Sequence, residues 1–204
     1  MKLYLVRHAQ SKRNAKQKSG EDAELSDVGK EQAWRLGKYF HKVNLNKVYC
    51  STLKRAKTTL DEIKPYIKGV PIIYTSKIVE HKLGIYGKNG KDEWSAYIKG
   101  AKKEGVPFHL FKPKYGDSLL ETYQRAGNFY KSLLKKHIND KILVVGHGIF
   151  SLYLILNSLG LDLSEGKYYQ LSNASISTLN IEKGKVKEFH INDYNHLIRE
   201  AMKK

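Results

Sequence analysis

Two rhythms of apolar and polar positions alternate along this 204-residue chain. Short apolar runs bounded by polar or small residues predict buried strands, and apolar residues recurring every three or four positions predict helices between them. Lys2 to Val6 is the first strand, and the chain turns polar at once in Arg7-His8. Arg13 to Glu24 reads as a loop. Leu25-Ser26 then opens a helix to about Lys42, with Ser26 as N-cap and Ala33, Leu36, Phe40 and Val43 as its stripe. Lys47 to Ser51 is a second strand. Leu53, Ala56, Leu60 and Ile63 mark a helix that ends near Pro65, and Val70 to Tyr74 is a third strand.

Residues 76 to 115 break this alternation. Glycines 84, 87, 90, 100 and 105 with Pro107 and Pro113 leave one helical piece, Trp94 to Ala101, so the stretch reads as a lid-like insertion. The Trp94 to Ala101 stripe itself reads as core or lid packing. Asp117-Ser118 opens a long helix to His137. Lys141 to Val145 is the strongest buried-strand signal and ends in Gly146-His147-Gly148, after which a helix runs to about Leu159. Ala174 to Ile181 and Lys185 to Ile191 form a β-hairpin around Glu182-Lys183-Gly184, and Tyr194 to Lys203 is a last helix. The chain is therefore an α/β domain over residues 1–204, with a largely parallel sheet and one antiparallel hairpin.

Composition narrows the class. With 41% hydrophobic and 11% aromatic residues the chain is globular, not disordered. Cys50, the one cysteine, forms no internal disulfide and suits a reducing cytoplasm. The start, Met1 to Val6, has no long apolar core of a signal peptide, and the longest apolar stretch, Ile149 to Leu156, is too short for a bilayer span. No membrane association is expected. The net charge of +17 predicts attraction to anionic partners. Its lysines are spread along the chain, and no recognition helix or aromatic-basic platform stands out, so a solvated surface is expected instead of a specific nucleic-acid face.

Three predicted strands end on reactive residue types: Arg7-His8, Cys50-Ser51 leading to Arg55, and Gly146-His147-Gly148. An ordinary strand end with a solvated arginine has the same dipeptide as Arg7-His8, so the first motif alone decides nothing. In a parallel sheet, however, the carboxyl ends lie on one edge, where open α/β sheets bind ligands. Two arginines and two histidines there make a cationic pocket suited to a phosphoryl group. A neutral imidazole can attack phosphorus while guanidinium groups offset the charge on the equatorial oxygens. No carboxylate or cysteine sits at ligand spacing from either histidine, so no metal is expected.

Leu5-Val6-Arg7-His8-Ala9-Gln10-Ser11 with Asn14 resembles the signature of the histidine phosphatase superfamily, the phosphoglycerate mutase-like fold. Five further blocks follow in family order. They are Leu25 to Gly29 with Gln32-Ala33, Ser51 to Ala56 with Thr58-Thr59, Gly116-Asp117-Ser118 with Arg125, Val145 to Gly148, and Asn173-Ala174-Ser175. The resemblance implies a three-layer α/β/α sandwich and assigns roles. His8 is the phosphorylated nucleophile; Arg7, Arg55 and His147, joined by Asn14 and the backbone N–H around Gly148, hold phosphate oxygens; Glu80 protonates the leaving alcohol and then activates water. No cofactor is implied.

Four departures from the family pattern stand out: Ala9 for glycine, Ser11, Asp117 for glutamate, and Gly148-Ile149-Phe150 for a glycine pair. Ala9 is expected to add a methyl group beside the pocket. Lysines 82, 88, 112 and 114 are either solvated or face the distal part of an anionic substrate. Histidines 41, 81, 109, 137, 190 and 196 read as surface or packing residues, with His81 notable for following Glu80. The expected activity is hydrolysis of a small phosphorylated metabolite, fastest on the acidic side of neutrality. A cofactor-dependent phosphoglycerate mutase is the alternative, although His81-Lys82 stands where mutases tend to carry Arg and Tyr. A basic, non-enzymatic nucleic-acid-binding relative is the second alternative. The sequence leaves a homodimer open.

Overall fold

A computed structural model of the chain describes residues 1–17, 19, 22–88 and 92–198. Strands β1 (Lys2–Arg7), β2 (Lys47–Ser51), β3 (Ile72–Thr75), β4 (Lys141–Gly146), β5 (Ile176–Glu182) and β6 (Lys185–Asp193) form one six-stranded sheet in the order β3-β2-β4-β1-β5-β6. The β1–β4, β4–β2 and β2–β3 pairs are parallel; β5 runs antiparallel to β1 and β6 antiparallel to β5. Helices α1 (Asp27–Phe40) and α2 (Lys54–Ile63) cover one face, and α4 (Leu119–Lys136) and α5 (Gly148–Leu159) the other.

The period of two along β1 explains the layers. Leu3 and Leu5 pack with Phe129, Leu133 and Phe150 in one core, whereas Tyr4 and Val6 pack with Leu36, Phe40 and Leu60 in the other. Buried on both faces, β4 reads as an unbroken apolar run because it has no solvent side. The helix after β1 and the helix after the adjacent β4 leave on opposite faces. Their divergence opens a crevice at the carboxyl ends of these two strands.

Several boundaries differ from expectation; β5 begins at Ile176 and not Ala174, and β6 runs to Asp193 and not Ile191. β3 begins at Ile72, not Val70, because Pro71 has no N–H for the ladder and the Val70 N–H is spent in a turn on the Ile67 carbonyl at 3.2 Å. The final helix α6 is described only over Asn195–Ile198, and residues 199–203 of the expected helix lie outside the described residues. The insertion contains 3₁₀ turns at Ser76–Ile78 and Gly84–Lys88 and helix α3 (Glu93–Lys103). Leu83, Tyr97, Ala101 and Phe111 give it a small core of its own, so Tyr97 and Ala101 of the stripe are packing, whereas Ile98 is exposed and Trp94 lines the crevice at the strand ends. Among the described residues no helix is long and apolar enough to cross a membrane.

Candidate active site

Several of the family-like blocks fix the backbone from Arg7 to Gln10. Ala174 N–H donates to the carbonyls of Arg7 and His8, and Asn173 Nδ2 donates to His8 O at 3.0 Å. Ala9 N–H donates to Thr59 Oγ1 at 3.0 Å, and Gln10 N–H to Gln32 Oε1 at 2.9 Å. Helix α1 starts hard against this loop: a Cβ on Gly29 would stand 2.0 Å from Gln10 O, so only glycine fits.

That frame holds His8, 3% exposed, in one tautomer. Its Nδ1 lies 2.7 Å from the Ala9 carbonyl, which can only accept, so Nδ1 carries the proton. Nε2 is left with its lone pair and accepts from Arg55 Nε at 3.1 Å. Burial, then the Arg55 and Arg7 charges, hold the His8 pKa well below the usual imidazole value. His8 is therefore neutral at neutral pH, the state a nucleophilic nitrogen needs.

Arg7, at the end of β1, donates Nη1 to the Leu171 carbonyl, while its Nε is buried and without a partner. Burial lowers its pKa, and the Glu80 charge opposes that shift. His147, fully buried at the start of α5, packs its ring 5.2 Å from that of His8. Ser51 Oγ sits 2.7 Å from His147 Nε2, and His147 Nδ1 is a second buried nitrogen without a partner. His147 does not line the cleft but stands behind His8. Arg7, Asn14, Arg55, Glu80 and Gly148 do line it, beside His8. Asn14 Oδ1 accepts from Ser11 Oγ at 2.9 Å and Asn173 Nδ2 at 3.1 Å. A Cβ on Gly148 would stand 3.4 Å from Arg7 Nε and 3.6 Å from Glu80 Oε2, in the space between the two.

Glu80 reaches the site from the insertion. Its Oε2 accepts from Ile149 N–H at 3.2 Å, and its Oε1 from Phe150 N–H at 3.1 Å and its neighbour His81 N–H at 3.0 Å. Glu80 thus satisfies free donors of the α5 N-terminus. The tie binds insertion to sheet and places a carboxyl group on the cleft wall opposite the arginines.

The cleft is about 260 Å³. Its far end carries residues that the sequence did not single out for the site. Arg13 Nη2 donates to the Gly87 carbonyl at 2.6 Å and pairs with Glu93, joining the loop after β1 to the insertion. His81 is held by Thr122 Oγ1 at 3.0 Å and stacks on Trp94. Burial pushes its pKa down to about 4. The expected methyl group of Ala9 does not border the pocket; it is buried in the core with Val6, Leu25 and Ala33. Lysines 82, 112 and 114 do not line the cleft, and Lys112 pairs with Glu121 at 2.6 Å. The side chain of Lys88 is outside the described residues. Cys50 is buried, its thiol pushed up to about 12 by burial. Among the described residues, no group of three or more His, Cys, Asp or Glu is arranged to hold a metal ion.

These buried imidazoles predict acid lability. Burial lowers the pKa of His8 and His147 well below 6.5, and His81 and His196 fall to about 4. The unfolded chain, with histidines near ~6.5, takes up protons first as pH falls, so stability is full above that value and declines below it. The decline amounts to as much as about 1.4 kcal/mol per pH unit for each of the two fully buried rings. Urea midpoints at pH 7.5, 6 and 5 should fall in that order; a midpoint constant across the range would refute the assignment.

Comparison with known proteins places this geometry among relatives. A family model described as histidine phosphatase superfamily (branch 1) matches residues 3–194. Phosphoserine phosphatase 1 of Hydrogenobacter thermophilus is 30% identical over 186 residues, covering 90% of this chain and 88% of that protein. A Klebsiella pneumoniae protein named "Probable phosphoglycerate mutase GpmB" is 27% identical, covering 90% and 86%. The structure of Bacillus stearothermophilus YhfR superposes with a TM-score of 0.81 at 26% identity, covering 96% of this chain and 98% of that one.

Proposed function

The chain belongs to the histidine phosphatase superfamily, and on that footing we propose that it is a metal-independent phosphomonoesterase acting through a phosphohistidine. The observation that carries the reading is His8: neutral, its Nδ1 tied to a carbonyl, its Nε2 lone pair facing a cleft that Arg7, Arg13 and Arg55 line. An incoming phosphate oxygen takes over the Arg55 Nε–H, which frees His8 Nε2 to attack. Arg7 Nε, which lines the cleft without a partner, goes to a second equatorial oxygen, while His147 backs His8 from behind. As the Nε2–P bond forms, the ester P–O bond breaks and Glu80 gives its proton to the leaving oxygen. Glu80 then takes a proton from water, whose oxygen displaces Nε2 and releases inorganic phosphate.

The cleft of about 260 Å³ suits a small phosphorylated metabolite. The phosphoserine phosphatase relative makes O-phosphoserine the first substrate to try. The mutase relatives support a second reading, tested by transfer between the hydroxyls of phosphoglycerate. The unpaired buried cysteine suits a reducing cytoplasm.

A screen of phosphometabolites with purified protein tests the function directly. Turnover should survive EDTA unchanged, because the arginines supply the positive charge. Loss of turnover on chelation, restored by a divalent cation, would overturn the mechanism.

A further inference from the structure

We propose that Arg125, on α4, is the positioning residue of the Glu80 carboxyl group, and that Asp117 orients it. The proposal rests on Glu80 being the proton donor. Arg125 takes no part in the chemistry described above, and it does not line the cleft. It grips the support of Glu80 from both sides instead. Arg125 Nη1 donates to the Val79 carbonyl at 2.7 Å and the Lys77 carbonyl at 3.3 Å, straddling the end of the 3₁₀ turn that delivers Glu80. The guanidinium carbon lies 5.3 Å from the ring centre of Phe150, and it is the Phe150 N–H that holds Glu80 Oε1. Asp117 Oδ2 accepts from Arg125 Nη2 at 3.4 Å, just ahead of the Ser118 N-cap of α4.

One planar fork therefore ties three separate pieces, the turn before Glu80, the start of α4 and the start of α5, with donors in a fixed geometry. Glu80 itself is the insertion's tie to the start of α5. Without Arg125 the backbone before Glu80 loses two acceptors' partners, and its carboxyl group loses the register it needs with the leaving oxygen. Misplacement by about 1 Å at a reacting group is enough to lower a rate by roughly 10²-fold.

A positioning role and a merely structural one differ in leaving-group dependence. The test compares the wild type, Glu80→Gln, Arg125→Met and the double variant, on O-phosphoserine and on p-nitrophenyl phosphate. Arg125→Met should slow the alkyl ester by about 10- to 100-fold and formation of phosphohistidine from the nitrophenyl ester by less than about threefold. In the double variant Arg125→Met should add nothing to Glu80→Gln, because the group it positions is gone. Arg125 and Asp117 also line an open groove of about 510 Å³. Millimolar guanidinium should therefore enter beside Arg125→Ala and restore alkyl turnover alone, which keeps the test usable if Arg125→Met fails to fold. Equal slowing of the two esters, or additive losses in the double variant, would overturn the proposal. Equal slowing in Glu80→Gln itself would instead remove the proton-donor reading, and this inference with it.

Discussion

Replacing His8 with alanine is expected to abolish turnover and phosphoprotein together, a loss of at least about 10⁴-fold. Among the described residues, His8 Nε2 is the imidazole nitrogen on the cleft whose lone pair meets an arginine and whose ring proton is fixed by a carbonyl. His147 is no substitute, since it is fully buried behind His8 and does not line the cleft. Arg55→Ala should leave weak activity, because Arg7 still supplies charge. It should also remove the donor from Nε2. Radiolabelled protein denatured in alkaline SDS reads out the intermediate directly, and an acid-labile, alkali-stable phosphoryl group trapped on His8→Ala would end the nucleophile assignment.

Glu80→Gln is expected to slow hydrolysis of alkyl phosphates by roughly 10²–10⁴-fold, the range for one acid–base group. Phosphorylation by p-nitrophenyl phosphate should slow far less, because nitrophenolate leaves without a proton. The structure adds a second consequence. Both carboxylate oxygens accept backbone N–H groups at the start of α5, whereas an amide presents NH₂ to one of them. The variant should therefore lose roughly 0.5–2 kcal/mol of stability, as for a lost helix cap. Pre-steady-state bursts on both esters separate the two effects, since a general loss of fold would slow them alike. Equal slowing would mean that Glu80 does not protonate the leaving group.

The architecture was legible because its causes are local. Apolar runs at β1, β2 and β4 and helical spacing at α1, α2, α4 and α5 are properties of neighbouring residues, and the elements formed where those patterns stand. Strand β3 shifted by two residues because Pro71 removes one donor, a cost that apolarity does not report. The strand ends were readable as candidate chemistry for the same reason, since buried strands that stop on Arg7-His8 and His147 leave polar side chains at one edge.

What the sequence could not decide is what each of these residues faces. The Ala9 methyl group went into the core because Thr59, fifty residues away, holds the Ala9 N–H. Arg13 became part of the cleft only because Glu93 and Gly87 come across from the insertion to meet it. The resemblance alone marked Glu80 and Arg125; only the fold set Glu80 against the free N–H groups of α5 and closed Val79 and Asp117 on Arg125. By itself the sequence determined the elements, their layers and the residues at the strand ends, because hydrophobic period and short-range sterics act within a few residues. Only the tertiary structure decided the His8 tautomer, the depth of His147 and the support of Glu80. Hydrogen bonds and burial at those sites join segments whose separation along the chain carries no signal of their contact.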